Sequence, residues 1–201
     1  MTMIQFNQHL KRRTRENIHG HKGAVVWLTG LSTSGKTTIA NHLEDELMKK
    51  KISTFLLDGD NLRKDLCSDL SFSKEDREEN IKRVGDVAKL FVEAGIIVIV
   101  ALISPYRNSR ERLKKMIPHR FFEVHTSCPL DICVKRDPKG LYLKAKKGEI
   151  KNFTGISDPY EEPERPDLII RTNIMTIDQS VLSVFHLLKK NQILHTKGGY
   201  E

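Results

Sequence analysis

The feature that most constrains the fold is a glycine-rich turn between a short apolar run and a helical pattern. The run Ala24–Leu28 is continuous and flanked by glycines, which is typical of a strand buried on both faces. The turn Gly30–Thr37 reads GLSTSGKT and fits G-x-x-x-x-G-K-[ST] in full. Apolar residues then recur at helical spacing from Ile39 up to Lys51. This order of strand, turn and helix predicts a phosphate-binding loop for ATP or GTP.

Each residue type in this loop has a chemical reason. Glycines let backbone N–H groups surround a phosphate, and the helix N-terminus adds partial positive charge. Lys36 is expected to contact the β- and γ-phosphates, and Thr37 is expected to ligate Mg²⁺. The predicted nucleotide-binding residues of the loop are Gly30, Leu31, Ser32, Thr33, Ser34, Gly35, Lys36 and Thr37.

Strand and helix patterns alternate along the rest of the chain. This alternation predicts an α/β fold of three layers, with a mostly parallel central sheet flanked by helices. The further strand patterns are Thr54–Leu57, Ile96–Ile103, Phe121–His125 and Leu168–Ile170. The further helical patterns cover residues 73–94, where Ser73-Lys-Glu-Asp resembles a capping box, and residues 107–116, 130–134 and 177–188.

A single domain over residues 23–201 is expected, preceded by a polar extension over residues 1–22. Residues 136–165 interrupt the alternation and are rich in lysine, glycine, proline and acidic residues. This segment, called the lid below, has too few apolar positions for a core element and predicts a mobile, basic flap over the site.

Composition narrows the class of protein. The formal charge of +8 fits either nucleic acid or polyphosphate ligands, but the basic residues are scattered among acids and aromatic residues make up only 6%. A nucleic-acid partner is therefore not expected. A membrane partner is not expected either, since the longest apolar run, Ile96–Ile103, is too short to span a bilayer. The N-terminus lacks an apolar signal region, so a cytoplasmic location is predicted. Cys67, Cys128 and Cys133 have no CxxC spacing and are interpreted as reduced packing residues.

Two carboxylates and an arginine follow the second predicted strand. Asp58, Asp60 and Arg63 would lie at the carboxyl edge of the sheet, where open α/β sheets bind ligands. One carboxylate could orient an acceptor hydroxyl and another could hold Mg²⁺. Taken alone, the segment fits a solvated turn equally well. Its place one βα unit after the phosphate-binding loop favours the functional interpretation.

Six blocks of sequence together resemble the adenylyl-sulfate kinases, a family of P-loop kinases. In order they are GLSTSGKTTIA, LDGDNLR, DLSFSKEDREENIKRV, ISPYRNSR, RDPKGLYLKAKKGEIKNFTGI and DPYEEP. The resemblance implies transfer of the ATP γ-phosphoryl group to the 3′-hydroxyl of adenosine 5′-phosphosulfate, with Mg²⁺, giving 3′-phosphoadenylyl sulfate and ADP. It also implies a role in sulfate assimilation, a homodimer and a functional link to ATP sulfurylase.

The resemblance further implies roles for single residues. Lys36, Asp58 and Asp60 would be catalytic, with Asp58 preferred as the base and Thr37 and Asp58 at the metal. Arg136 would contact ATP from the lid. The residues implied to bind the acceptor substrate are Asp60, Arg63, Phe72, Arg77, Asn80, Ile103, Ser104, Lys139 and Phe153, with Phe72 stacked on the adenine. Without the resemblance, Arg77 and Asn80 would fit a solvated helix face and Phe72 a hydrophobic staple.

Ser104 has a second implied role, because its position in this family is sometimes assigned as a phosphoserine intermediate. A serine without an adjacent base is a poor nucleophile, so direct in-line transfer is preferred. Two other functions stay open on sequence grounds. The first is a P-loop kinase for another small hydroxyl acceptor, such as a nucleoside monophosphate or a sugar acid. The second is an NTP-dependent nucleic-acid-binding protein.

Overall fold

A parallel sheet of five strands forms the centre of the protein, in a computed structural model that describes residues 10–194. The strand order is β2-β3-β1-β4-β5, and each neighbouring pair is parallel. The predicted three-layer α/β fold is therefore confirmed. The strands are β1 (Ala24–Thr29), β2 (Thr54–Asp58), β3 (Ile97–Ala101), β4 (Phe121–Ser127) and β5 (Leu168–Arg171).

Helices cover both faces of this sheet. The long helical patterns of the sequence are confirmed, and Ser73 caps α4 by accepting a hydrogen bond from the backbone N–H of Asp76 at 3.1 Å. The helices are α1 (Arg12–His19), α2 (Lys36–Lys49), α3 (Gly59–Leu62), α4 (Lys74–Glu93), α5 (Arg107–Met116), α6 (Leu130–Arg136), α7 (Leu141–Lys146) and α8 (Ile177–Lys190).

Strand β1 is buried on both faces and separates two apolar cores, as its unbroken apolar run predicts. Val26 and Leu28 point to one core, which contains side chains from α2 and α8. Val25 and Trp27 point to the other, which contains side chains from α4 and α5. Because both faces are covered, the phosphate-binding loop at the end of β1 stands on a rigid base.

Part of the segment described above as a polar extension forms helix α1. Polar contacts hold this helix to the domain: Arg12 Nη1 donates to Glu93 Oε1 at 3.0 Å, and the buried Glu16 accepts from the backbone N–H of Gly23 at 3.0 Å. Arg120 lies 3.4 Å from the same Glu16 carboxylate oxygen. Apolar periodicity could not predict such a helix. Residues 1–9 and 195–201 of the predicted segments lie outside the described residues.

The lid contains a core element, so the prediction that it lacks one is wrong. Helix α7 buries Tyr142 completely, and Tyr142 packs with Cys128 and Cys133 in a small third core. These two cysteines and Cys67 are free and buried, which confirms their interpretation as packing residues. No helix within residues 10–194 is long and apolar enough to cross a membrane.

Candidate active site

The phosphate-binding loop joins β1 to α2 and lies close against β4. Gly35 precedes the helix with a φ of 96°, in the left-handed region where glycine carries no steric penalty. At Gly30 a side chain would collide with β4, since a Cβ there would lie 2.4 Å from Thr126 Oγ1 and 2.6 Å from the Thr126 carbonyl oxygen. Both glycines of the motif are therefore required by the geometry of this turn.

Lys36 is buried in the loop with its ammonium group held by backbone carbonyls. Its Nζ donates to the carbonyl oxygen of Gly30 at 3.0 Å and to that of Leu31 at 2.7 Å. Burial lowers the pKa of Lys36 from 10.5 to about 8, because the charged form loses solvation. A bound polyphosphate would favour the charged form and draw this cation away from the carbonyls.

The end of β2 brings a carboxylate to the first turn of α2. Thr37 Oγ1 donates to Asp58 Oδ2 at 2.8 Å, and the other oxygen of Asp58 accepts from the backbone N–H of Asp60 at 3.0 Å, which caps α3. A Cβ at Gly59 would lie 2.6 Å from a methyl carbon of Leu102, so glycine permits this close turn. Asp58 therefore links the phosphate-binding loop to the end of β2, and both of its hydrogen bonds are exposed.

Several polar contacts hold the lid to the site. Lys139 forms an ion pair with Asp60, and this carboxylate raises the pKa of the Lys139 ammonium. Arg136 donates to the hydroxyl and carbonyl oxygens of Thr172 at 3.2 and 2.7 Å. The buried Tyr142 donates its hydroxyl to the carbonyl oxygen of Ser32 at 3.0 Å. The lid thus contacts both the phosphate-binding loop and the carboxylate of Asp60, which follows β2.

A second group of side chains in the site comes from the end of α3 and the start of α4. The Arg63 guanidinium carbon is 4.3 Å from the centre of the Phe72 ring, and that of Arg77 is 5.5 Å from it. The staple interpretation fails, because Phe72 is half exposed and the residue at the partner position in α4 is Arg77. Arg77 and Asn80 are buried, so the solvated-face interpretation fails as well.

These groups line one cavity of about 890 Å³. The wall of this cavity therefore contains the phosphate-binding loop, the two carboxylates, the arginine–phenylalanine group and the lid. The predicted site residues in its wall are Ser32, Thr33, Gly35, Lys36, Thr37, Asp58, Asp60, Arg63, Phe72, Arg77, Asn80, Ile103, Ser104, Arg136, Lys139 and Phe153. Gly30, Leu31 and Ser34 shape the loop behind this wall.

Known proteins resemble this chain along most of its length. Residues 22–171 match the sequence profile of a family described as Adenylylsulphate kinase. This chain belongs to the adenylylsulphate kinase family. An adenylyl-sulfate kinase of Prochlorococcus marinus is 54% identical over 178 residues, which cover 88% of this chain and 89% of the relative. One from Thermodesulfovibrio yellowstonii is 52% identical over 185 residues, or 92% of each chain.

A solved structure shows the same likeness in three dimensions. The Mycobacterium tuberculosis APS kinase CysC, in complex with AMPPNP and APS, matches with a TM-score of 0.80 at 45% identity. The match covers 84% of this chain and 99% of the other. The fold is therefore that of an adenylylsulphate kinase.

Thr33 adopts an unusual backbone conformation within the phosphate-binding loop. Its φ is 57°, in the left-handed region that favours glycine, so a threonine there is strained. Its hydroxyl donates to the carbonyl oxygen of Cys133 at 2.7 Å and ties the loop to α6. This bond offsets part of the strain.

Ser104 is enclosed in a chain of hydrogen bonds. Trp27 Nε1 donates to Ser104 Oγ at 3.0 Å, Ser104 Oγ donates to Thr29 Oγ1 at 2.9 Å, and Thr29 donates to the carbonyl oxygen of Ile103 at 2.7 Å. Within residues 10–194 its hydroxyl makes no hydrogen bond to a carboxylate or an imidazole. Its proton is therefore directed to a neutral hydroxyl and not to a base.

Sequence reasoning missed one group that supports this part of the adenylylsulphate kinase site. Arg110 is 1% exposed and donates to Glu123 Oε1 and to the carbonyl oxygens of Ser104 and Glu161, each at 2.6 Å. Arg110 thereby joins α5, β4 and the end of the lid. Its position in a highly charged helix gives no sign of burial, so the sequence signal is absent.

Proposed function

We propose that the protein transfers the γ-phosphoryl group of ATP to the 3′-hydroxyl of adenosine 5′-phosphosulfate, giving 3′-phosphoadenylyl sulfate and ADP. The observation that supports this most is the shared cavity. The phosphate-binding loop, the arginine–phenylalanine group and the carboxylates of Asp58 and Asp60 all line it. We place ATP at the phosphate-binding loop and the acceptor at the arginine–phenylalanine group, and these places are called the ATP end and the acceptor end below.

At the ATP end, the loop N–H groups and Lys36 hold the phosphates, and Arg136 contacts the nucleotide from the lid. Thr37 and Asp58 fit Mg²⁺, because a hydroxyl and a carboxylate oxygen lie 2.8 Å apart and both are hard ligands that this ion prefers. When bound there, Mg²⁺ would supply positive charge that neutralises the transferred group. Lys36 adds a second positive charge on the same side.

At the acceptor end, the cations Arg63, Arg77 and Lys139 suit the phosphosulfate, since guanidinium forks match oxyanions. Phe72 and Phe153 offer aromatic faces for the adenine, a geometry that suits bases in general.

The loop after β3 completes this end, where Ile103 and Ser104 would meet the acceptor nucleotide partly through backbone groups. Asp58 lines the same cavity and contacts Thr37 of the phosphate-binding loop. This makes Asp58 our preferred group for orienting or deprotonating the 3′-hydroxyl, with Asp60 as the alternative.

The transfer is proposed as a direct in-line step. The γ-phosphorus–oxygen bond to ADP breaks as the 3′-oxygen attacks, and the hydroxyl proton passes to the carboxylate. The hydrogen-bond chain from Trp27 through Ser104 to Thr29 argues against a phosphoserine intermediate. Ser104 is instead proposed to shape the acceptor site. Alignment and charge stabilisation are the main contributions that this chemistry requires.

Four further features are proposed on the same basis: a role in sulfate assimilation, a cytoplasmic location, a homodimer and a functional link to ATP sulfurylase.

The test of the enzymatic proposal is ADP formation with adenosine 5′-phosphosulfate compared with AMP, gluconate and shikimate at equal concentration. Selective turnover that Lys36→Ala abolishes would support the proposal. Turnover with another acceptor alone would show a P-loop kinase of different specificity.

A further inference from the structure

One peptide of the phosphate-binding loop, between Ser32 and Thr33, is held in a strained orientation. Tyr142 donates its hydroxyl to the carbonyl oxygen of Ser32 at 3.0 Å, and burial raises the pKa of this phenol, so it remains a donor. Thr33 has a φ of 57°, which is unfavourable for a β-branched residue. Strain of this kind persists where surrounding contacts impose it, and it is concentrated at functional sites. The orientation of this peptide therefore depends on contacts from outside the loop.

The two polar groups of this peptide face opposite sides of the loop. The peptide is trans, and a planar trans peptide points its C=O and its N–H in opposite directions. The Ser32 carbonyl points to Tyr142, which is fully buried in the small third core. The N–H of Thr33 points away from that core and makes no hydrogen bond within residues 10–194. Ser32 and Thr33 both line the cavity, so this N–H is a free donor on the side where a phosphate would bind.

Rotation of this peptide would relieve the strain and misdirect the N–H. Turning the peptide plane over changes ψ of Ser32 and φ of Thr33 together, and it would bring φ of Thr33 to a negative value, which threonine prefers. The same rotation would turn the Thr33 N–H away from the phosphate. The hydroxyl of Thr33 donates to the carbonyl oxygen of Cys133 at 2.7 Å, which holds the side chain and not the peptide plane. The bond from Tyr142 to the Ser32 carbonyl opposes this rotation directly.

We propose that Tyr142 is a positioning residue for the phosphates of ATP, because its bond to the Ser32 carbonyl keeps the Thr33 N–H turned toward the bound phosphate. This inference rests on the ATP binding that is part of the proposed function, and it does not depend on the acceptor. Tyr142 acts through the peptide and does not touch the nucleotide itself. Only one orientation of the peptide can donate to the phosphate, so the apparent affinity for ATP follows the population of that orientation.

The matched variants are Tyr142→Phe, which removes only the hydroxyl, and Thr33→Gly, which removes the strain at the same peptide. Calorimetry measures the dissociation constant of Mg·AMPPNP, a non-hydrolysable form of ATP, for wild type, both single variants and the double variant. Tyr142→Phe should bind about tenfold more weakly, because most molecules then hold the peptide rotated. Thr33→Gly should bind within about threefold of wild type, since glycine adopts a positive φ freely. Adding Tyr142→Phe to Thr33→Gly should cost less than about threefold, because the strain that drives the rotation is gone.

Two controls separate this role from a general loss of structure. Tyr106 is also buried, and its hydroxyl donates to Asp158 Oδ2 at 3.1 Å and not to the phosphate-binding loop. Tyr106→Phe should therefore bind Mg·AMPPNP within about twofold of wild type. A crystal structure of nucleotide-free Tyr142→Phe should show a negative φ at Thr33, with the phenylalanine ring still packed in the small third core.

Equal losses from Tyr142→Phe with and without Thr33→Gly would overturn the proposal, because a merely structural role of Tyr142 is not relieved by removing strain at Thr33. So would wild-type affinity of Tyr142→Phe, or a positive φ at Thr33 in the crystal structure of that variant. If wild type does not bind Mg·AMPPNP at all, the proposed function fails and this inference fails with it. Turnover with a different acceptor would overturn the proposed function alone, since the role of Tyr142 concerns ATP.

Discussion

Nη1 of Arg110 lies 2.6 Å from the carbonyl oxygen of Ser104, so a buried cation on α5 holds the backbone of the loop that follows β3. Ser104 has a φ of 41°, which is unfavourable for a residue other than glycine. Such strain persists where the surroundings over-determine the backbone. The hydrogen bond from Arg110 is one of these constraints, and Glu123 balances its charge at 2.6 Å.

The Arg110→Met variant should be strongly destabilised. It leaves Glu123 buried without its partner, and breaking a buried ion pair in this way costs about 3 to 5 kcal/mol. Adding Glu123→Gln should recover part of that loss, because the uncompensated charge disappears. Urea unfolding of the single and double variants measures both effects. A double variant as unstable as Arg110→Met would show that the charge pair is not the cause.

Lys36→Met should change how stability depends on pH in the nucleotide-free protein. The native pKa of Lys36 is about 8, below its ordinary 10.5, so burying the charged form opposes folding below pH 8. Between these values the unfolded state binds more protons, and wild type gains stability as pH rises. The stability of Lys36→Met relative to wild type should therefore fall by roughly 1 to 3 kcal/mol from pH 7 to pH 10. Denaturant midpoints at several pH values test this, and a constant difference would contradict it.

Lys139→Ala should weaken the acceptor complex and leave the fold intact. The ion pair between Lys139 and Asp60 is largely exposed, so its loss should change the free energy of unfolding by less than about 1 kcal/mol. The KM for the acceptor should rise about tenfold, as expected for a lost charge-assisted contact, while the KM for ATP stays within threefold. Lys144→Ala, at an exposed lid position, is the matched control and should behave as wild type. Equal effects of the two variants would count against a specific role for Lys139.

Tyr142→Ala should release the lid from the domain. Tyr142 is fully buried and bonds to the loop at Ser32, and truncating a buried aromatic residue costs about 3 to 5 kcal/mol. Limited proteolysis should cut the lid much faster in this variant than in wild type, with the sheet core still folded. Leu143→Ala changes the neighbouring exposed position and should match wild type. Similar cleavage rates in all three proteins would mean that Tyr142 does not hold the lid.

The sheet and the phosphate-binding loop were predictable because they follow short-range rules. A strand buried on both faces must be continuously apolar, as Ala24–Leu28 is, and a phosphate cradle needs the glycines at Gly30 and Gly35. The start of α4 was predictable from Ser73, although the carboxylate of Asp76 bonds to Ser71 and does not complete the capping box.

The missed elements depend on contacts between residues far apart in the chain. Helix α1 is held by ion pairs from Arg12 and Arg120, and α7 is anchored by the burial of Tyr142. Arg110 has ordinary neighbours in sequence, so only the fold shows that it is buried. Local patterns contain no information about such burial.

The central claim, transfer to the 3′-hydroxyl of adenosine 5′-phosphosulfate, is tested most directly by the fate of a labelled phosphoryl group. The protein is incubated with Mg·ATP labelled at the γ-phosphorus and adenosine 5′-phosphosulfate, and the product is treated with a 3′-nucleotidase. The account predicts one label per product molecule, removed completely by that treatment, and no product with Lys36→Ala. Label that resists the 3′-nucleotidase, or label found only in inorganic phosphate, would contradict it.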